Sequence, residues 1–117
     1  MKKIEVVSIP VTDQQKSKEF YQKLGFNVLA EAPFSENQTW VQLGYSGDTA
    51  SITLVTWFKT MPPGCVNGLV IKTKDVETDQ DELTAMGITT SDIDETPWGK
   101  FLTVKDPDGN TISFRQE

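Results

Sequence analysis

Hydrophobic and polar positions follow the same succession of patterns in each half of the chain. In the first half, the alternating residues of "IEVVSIPV" lead into "TDQQKSKEFYQKLGF", where apolar side chains recur at helical spacing at Phe20, Tyr21 and Leu24. In the second half, "GLVIKT" leads into "KDVETDQDELTAMGI", where they recur at Val76, Leu83 and Met86. Each half therefore predicts a strand followed by an amphipathic helix.

The two halves also match residue by residue. "IPVTDQQKSKEFYQKLGF", which begins at Ile9, aligns without a gap with "IKTKDVETDQDELTAMGI", which begins at Ile71. After each predicted helix come three strand-like runs separated by turn residues. These runs are "FNVLAEA", "TWVQLGY" and "ASITLVTWF" in the first half, and "ITTSDID", "GKFLTVKD" and "TISFRQ" in the second. Each half is therefore predicted to be one β-α-β-β-β module.

The ends of both helices can be predicted from side-chain chemistry. Thr12 and Gln15 have the spacing of a capping box before the first helix. Asp75 or Thr78 can cap the second helix. A glycine then follows each apolar stripe, at Gly25 and Gly87, where a helix commonly ends.

This organisation predicts an α+β fold in a single domain, residues 1–117. Two β-α-β-β-β modules in tandem, about 1–58 and 67–117, are joined by the linker 59–66, in which two prolines stop either strand. Side by side, the modules are expected to form a curved mixed sheet with a concave cup, with the helices on the convex face.

Strand alternation predicts which side chains line the cup. Apolar residues such as Ile9, Ile52 and Ile112 should face the helices, so their neighbours should face the cup. Trp57 could instead pack between modules or subunits, and Arg115 could be a solvated residue near the end of the chain. The ligand-binding residues predicted for the cup are Ser8, Trp40, Thr53, Val55, Trp57, Gly68, Val70, Trp98, Ser113 and Arg115.

Composition excludes several classes of function. The chain has 117 residues, a net charge of −6 and no histidine. Negative charge disfavours nucleic-acid binding, and the absence of histidine rules out Ser–His–Asp and Cys–His catalysis. No apolar run approaches the roughly 20 residues of a membrane span, and the N-terminus lacks the features of a signal peptide. A single cysteine, Cys65, suits a reducing cytoplasm, which is the predicted location.

Three stretches together resemble the vicinal oxygen chelate superfamily, which includes glyoxalase I, extradiol dioxygenases and bleomycin-resistance proteins. They are "IPVTDQQKSKEFYQKLGF", "GLVIKTKDV" and "PWGKFLTVKDPDGNTISF". The resemblance implies paired modules around a cup and a homodimer. It also places the four metal-ligand positions of the metal-dependent members at Val6, Thr53, Gly68 and Ser113. None of these is a strong metal ligand, so we expect no catalytic residue, no metal and no cofactor.

The "DPDGN" segment near the C-terminus has two interpretations. Pro107 and Gly109 suit a tight turn, in which Asp106 and Asp108 can hydrogen-bond to their own backbone. Asp106, Asp108, Asn110 and Glu117 also have EF-hand spacing, but Thr111 replaces the required glycine and no exit helix follows. We therefore interpret the segment as a turn.

Three functions remain compatible with the sequence. The first is metal-independent binding of a small organic molecule, such as an aromatic or cationic antibiotic-like ligand. The second is an enzyme of the same fold, a lyase, isomerase or dioxygenase of glyoxalase type, whose catalytic group is not recognised. The third is a structural or regulatory dimer with a vestigial cup. Metal-independent binding is favoured by three features. The four metal-ligand positions carry no strong metal ligand, the net charge is negative, and tryptophans are predicted near the cup.

Overall fold

The fold repeats one unit twice, as the sequence predicts. The structure is a computed structural model that describes residues 2–47 and 50–117. The first module contains β1 (Val6–Pro10), α1 (Gln14–Lys23), β2 (Asn27–Ser35), β3 (Gln38–Gly44) and β4 (Ser51–Val55). The second contains β5 (Leu69–Lys72), α2 (Val76–Ala85), β6 (Asp94–Thr96), β7 (Gly99–Lys105) and β8 (Thr111–Gln116). The predicted α+β class is confirmed.

The strands form two four-stranded mixed sheets with the same internal order. The first sheet runs β1-β4-β3-β2 and the second runs β5-β8-β7-β6. In each sheet the first strand pairs in parallel with the last strand of its module, and the other pairings are antiparallel. Within residues 2–47 and 50–117, the two sheets are separate, so β1 and β5 each have one edge without a strand partner.

Aspartates cap both helices. The Asp13 carboxylate accepts hydrogen bonds from the backbone N–H groups of Gln15 and Lys16, each at 3.1 Å. The prediction that Thr12 caps α1 is therefore wrong, because its hydroxyl donates instead to Asp108 Oδ1 at 2.7 Å. In α2, Asp75 is the cap, one of the two predicted alternatives, and it accepts from the N–H groups at the start of that helix.

One predicted strand is mostly absent. The run 88–94 was expected to be a strand, but only Asp94 and the two residues after it form β6. Before them, Ser91 bonds to β7 through its backbone N–H and through its side chain, which accepts from the N–H of Thr103 at 2.9 Å. A side-chain hydrogen bond thus replaces part of the regular strand ladder.

Both helices and the facing sides of both sheets share one hydrophobic core. We call this side of each sheet the inner face, and the opposite side the outer face. Three core residues come from the helices, Tyr21, Val76 and Leu83, each with less than 5% of its surface exposed. Met86 departs from the predicted stripe of α2, since it is 41% exposed. The strand residues of the core include Ile9, Val41, Leu43, Ile52, Leu54, Leu102, Val104, Ile112 and Phe114.

The "DPDGN" turn joins the two modules. Buried Asp106 accepts hydrogen bonds from its own turn and from the Tyr21 hydroxyl of α1, at 2.9 Å. Asn110, which is fully buried, donates to the carbonyl of Pro10 at 2.9 Å and to Asp106 at 2.8 Å. The Asp108 carboxylate accepts hydrogen bonds from the backbone N–H and the hydroxyl of Thr12, in the first module. The segment is therefore a turn, as predicted, and its carboxylates hold the modules together.

Candidate ligand-binding faces

The outer face of the first sheet is uncharged over three neighbouring strands, β1, β4 and β3. The strand register places Ser8 beside Thr53, and Thr53 beside Gln42. Val55 is almost fully buried, although it lies outside the shared core. The side chains of this face on β1, β3 and β4 are Val6, Ser8, Trp40, Gln42, Ser51, Thr53 and Val55.

Four aromatic rings gather at one end of this face, and we call them the aromatic cluster: Phe34, Trp40, Trp57 and Phe58. Phe34 lies edge-on to Trp57, with ring centroids 5.1 Å apart, and also contacts Trp40 at 6.5 Å. Trp57 contacts Phe58 at 6.1 Å. Phe34 is 53% exposed and Phe58 is 45% exposed. The cluster is therefore an open apolar surface on which a flat molecule can stack.

A row of polar groups continues from the aromatic cluster across the same face. The Trp40 indole N–H donates to the side-chain oxygen of Gln42 at 3.0 Å. The Gln42 amide donates to the Ser51 hydroxyl at 2.8 Å, and that hydroxyl donates to the carbonyl of Glu5 at 2.7 Å. Thr53 donates to the carbonyl of Val41 at 3.1 Å and is buried. These contacts hold the tryptophan and the glutamine in place beside the open rings.

The outer face of the second sheet is more polar. The Ser113 hydroxyl lies 3.3 Å from that of Thr103 on the neighbouring strand. Arg115 donates from Nε to the carbonyl of Trp98 at 2.8 Å and pairs with Glu117 at 3.6 Å. The Trp98 ring itself is 73% exposed. This face thus has hydroxyls near its centre and an exposed tryptophan held by an arginine at its end.

Among the residues that the structure describes, the ten predicted for the cup do not share any of three cavities. Seven lie on the two outer faces, and Trp57, Gly68 and Trp98 lie just beyond strand ends. These cavities, of about 550, 680 and 100 Å³, lie between the two modules. Of the ten residues, only Val70 lines one of these cavities. Phe34 and Phe58, which belong to the aromatic cluster, are not among the ten predicted residues.

Phe34 could not be assigned to a face from alternation alone. The pairing of β2 with β3 shifts between Pro33 and Ser35, so the regular two-residue period is interrupted at Phe34. The signal that could have indicated it is compositional, since a large aromatic residue there precedes the turn to a strand that contains Trp40.

The four metal-ligand positions do not fit a transition metal. Val6 is aliphatic, and the hydroxyls of Thr53 and Ser113 already have hydrogen-bonding neighbours. Gly68 has no side chain. Its φ of +103° is a backbone conformation that favours glycine, so the backbone explains why glycine occupies this position. No three carboxylate or thiol side chains converge anywhere in the described parts of the chain. These residues lack the imidazole, thiolate and carboxylate donors that such metals require.

Groups with a perturbed pKa are explained by contacts that maintain the fold. Burial and the neighbouring Asp106 carboxylate raise the pKa of the Tyr21 phenol far above its ordinary value. Hydrogen bonds from Gln15 and Lys18 lower the pKa of Glu31 on the helix side of β2. A hydrogen bond to Glu77 of α2 raises the pKa of Lys100. None of these three residues belongs to the ten predicted for the cup.

Two β-α-β-β-β modules with open outer faces define the class of fold, and a comparison with family models agrees. The chain belongs to the Glyoxalase/Bleomycin resistance protein/Dioxygenase superfamily, whose model matches residues 3–114. This confirms the resemblance drawn from the sequence. None of the described helices is long and apolar enough to cross a membrane.

Several relatives resemble this chain over nearly its whole length. The crystal structure of TnmS3, an antibiotic binding protein from Streptomyces sp. CB03234, is 39% identical with a TM-score of 0.93, covering 99% of this chain and 96% of that one. A glyoxalase/bleomycin resistance protein from the same strain is 40% identical with a TM-score of 0.87, covering 97% and 100%. The uncharacterized protein YetH of Bacillus subtilis (strain 168) is 28% identical over 121 residues, covering 99% of both chains.

Proposed function

We propose that the protein binds a small organic molecule that carries a flat aromatic group, without the help of a metal. The observation that carries this proposal is the aromatic cluster on the outer face of the first sheet. Its rings lie outside the shared core, and two of them are about half exposed. Exposed large aromatic residues grouped on one face are typical of a binding surface.

The nature of the relatives supports an antibiotic-like ligand. TnmS3, at 39% identity, is described as an antibiotic binding protein. The superfamily alone is compatible with many ligands and reactions, so the ligand class is part of our proposal. A positive charge on the ligand stays a prediction from the net charge of −6, because the outer face of the first sheet has no acidic side chain on β1, β3 or β4.

Binding has more support than catalysis. Two hydroxyls at the predicted ligand positions of the outer faces, those of Thr53 and Ser113, have a backbone carbonyl and another hydroxyl as their neighbours. A serine or threonine nucleophile needs a general base beside it, and neither contact supplies one. We therefore propose sequestration of the ligand, in the cytoplasm, as the role.

We also propose that a second copy of the chain completes each binding cup. Edges of β1 and β5 have no strand partner among the residues described, and unpaired edges usually pair or are covered. Apolar side chains are exposed along these edges: Ile4 at 68%, Val7 at 49% and Val70 at 50%. Association there would bring an outer face of one chain beside an outer face of its partner and bury these residues.

Three anthracene derivatives of equal ring size test the proposed function. They are 9-anthracenemethanol, 9-anthracenecarboxylate and 9-anthracenemethylamine, which are neutral, negative and positive near pH 7. We expect at least one to quench tryptophan fluorescence with saturable binding. Phe34→Ala should weaken that binding on the order of tenfold, about 1.4 kcal/mol, because a stacking partner is lost.

Val28→Ala is the matched control, since it removes a partly exposed apolar side chain of β2 that lies on the inner face, opposite Leu43. It should leave binding of the anthracene derivatives unchanged. No saturable binding of any of the three compounds, or equal losses in the two variants, would contradict the proposal. The order of the three affinities tests the predicted preference for a cation.

A further inference from the structure

A groove between the two modules is lined by none of the residues of the aromatic cluster. It has a volume of about 680 Å³, which is within the roughly 300–1,000 Å³ range of small-molecule sites. One wall is α1 of the first module. The other wall belongs to the second module, where the segment 86–91 follows α2 and lies beside the end of β7. We call it the lysine groove.

Three lysines line this groove, and none of them has an acidic partner. Lys16, Lys23 and Lys105 form no ion pair within the described residues. By contrast, Lys18 pairs with Glu31 at 3.0 Å and Lys100 with Glu77 at 3.0 Å. The groove lining contains three lysines and one carboxylate, that of buried Asp106. In a chain with 17 acidic and 11 basic residues, this local excess of positive charge is a reversal of the overall charge.

Apolar side chains lie between these charges. Lys16, Phe20 and Lys23 are spaced four and three residues apart, so they share one face of α1. The two lysines are thus separated by about 10 Å along the helix axis, with the phenyl ring between them. Across the groove lie Met86, which is 41% exposed, and Ile88, which is half-buried against the core.

We propose that the lysine groove binds an amphipathic anion, a small molecule with an apolar body and a carboxylate or similar acidic group. The apolar body would cover Phe20, Met86 and Ile88, and the acidic group would lie within reach of a lysine ammonium. Charge complementarity is the basis for this class of ligand, since the groove combines apolar surface with cations that form no ion pair within the part of the chain that the structure describes. This inference is independent of the aromatic cluster and of the proposed function.

Decanoate and 1-decanol provide a matched pair of probes that differ mainly in charge. With ¹³C-methyl methionine, NMR follows Met86 in the groove and Met61 in the linker of the same sample. We expect monomeric decanoate to shift the Met86 resonance saturably and to leave that of Met61 unchanged. We expect 1-decanol to bind at least tenfold more weakly.

The lysines are tested by two double variants with equal changes of net charge. Lys16→Gln/Lys23→Gln should weaken decanoate binding at least tenfold. The control Lys59→Gln/Lys74→Gln alters exposed lysines that do not line the groove, and should change it less than twofold. The absence of a Met86 shift, equal binding of decanol, or equal losses in the two variants would overturn the proposal. Binding to phosphatidylglycerol vesicles without any binding of decanoate would overturn it as well, by assigning the lysines to a membrane surface.

Discussion

Removing the Tyr21 hydroxyl tests whether the buried hydrogen bond to Asp106 holds the modules together. Tyr21→Phe keeps the ring, which is fully buried and packs edge-on against Phe20 and Phe26. It removes the 2.9 Å hydrogen bond and leaves Asp106 Oδ2 with Asn110 as a partner. A hydrogen bond to a charged group contributes roughly 1.5–3 kcal/mol, so we expect a loss of about 2 kcal/mol. For a chain of this length, that is about 8 °C in Tm.

The same hydroxyl predicts a pH dependence. Because the folded protein raises the pKa of Tyr21 above its unfolded value near 10, the folded state keeps the proton while the unfolded state loses it. The stabilisation is thus fully present below pH 10 and declines as the pH rises above it. Between pH 8 and pH 11 the difference between wild type and Tyr21→Phe should shrink by about 1.4 kcal/mol.

Urea denaturation at fixed protein concentration, followed by tryptophan fluorescence at pH 8, 10 and 11, measures both effects. Tyr45→Phe is the control, since the Tyr45 hydroxyl donates to the neutral carbonyl of Leu24 at 2.8 Å and should contribute only about 1 kcal/mol. If Tyr21→Phe were as stable as wild type at pH 8, or if the difference stayed constant up to pH 11, the reasoning would be refuted.

Three further predictions concern the turn and the aromatic cluster. Gly64→Ala should lower the free energy of unfolding by more than about 2 kcal/mol, because an added Cβ would collide with the carbonyl oxygen of Asp108. Its control is Gly68→Ala, where the added Cβ would meet open space and the loss should be only about 1 kcal/mol. Equal losses of the two variants in urea denaturation would contradict this. Asn110→Ala should lose about 3 kcal/mol, because this fully buried amide joins both modules, whereas exposed Asn27→Ala should stay within about 0.5 kcal/mol. Phe34→Ala should alter the tryptophan emission spectrum while thermal unfolding shows a loss below about 1 kcal/mol, because half of the ring is already exposed; a much larger loss would mean that Phe34 belongs to the core.

Much of the fold could be predicted from the sequence because the two modules repeat one pattern. Alternation around Ile9, Ile52 and Ile112 assigns the inner faces correctly, since each of these residues is buried in the core. The cap of α1 was assigned to the wrong residue because Thr12 and Asp13 both have side chains that can cap a helix. The choice between them depends on Asp108, a residue of the other module that contacts Thr12.

The site could be predicted only in part. Composition and alternation indicate Trp40, Trp57 and their neighbours as outward-facing residues, but the position of Phe34 depends on an irregularity in strand pairing. The separation of the two sheets, and hence the lack of one closed cup in a single chain, depends on contacts between modules. The hydrogen bond by which Asp106 connects the modules could not be predicted either, because its partner Tyr21 is 85 residues away in sequence.

Native mass spectrometry of freshly purified protein, combined with a metal assay of the same sample, tests most directly the claim that this is a metal-independent binding protein whose cup is shared by two chains. We expect a dimer of two 13.1 kDa chains without stoichiometric metal, either empty or carrying an organic molecule whose mass would indicate the ligand. A monomer, or one transition-metal ion for each chain, would contradict the account.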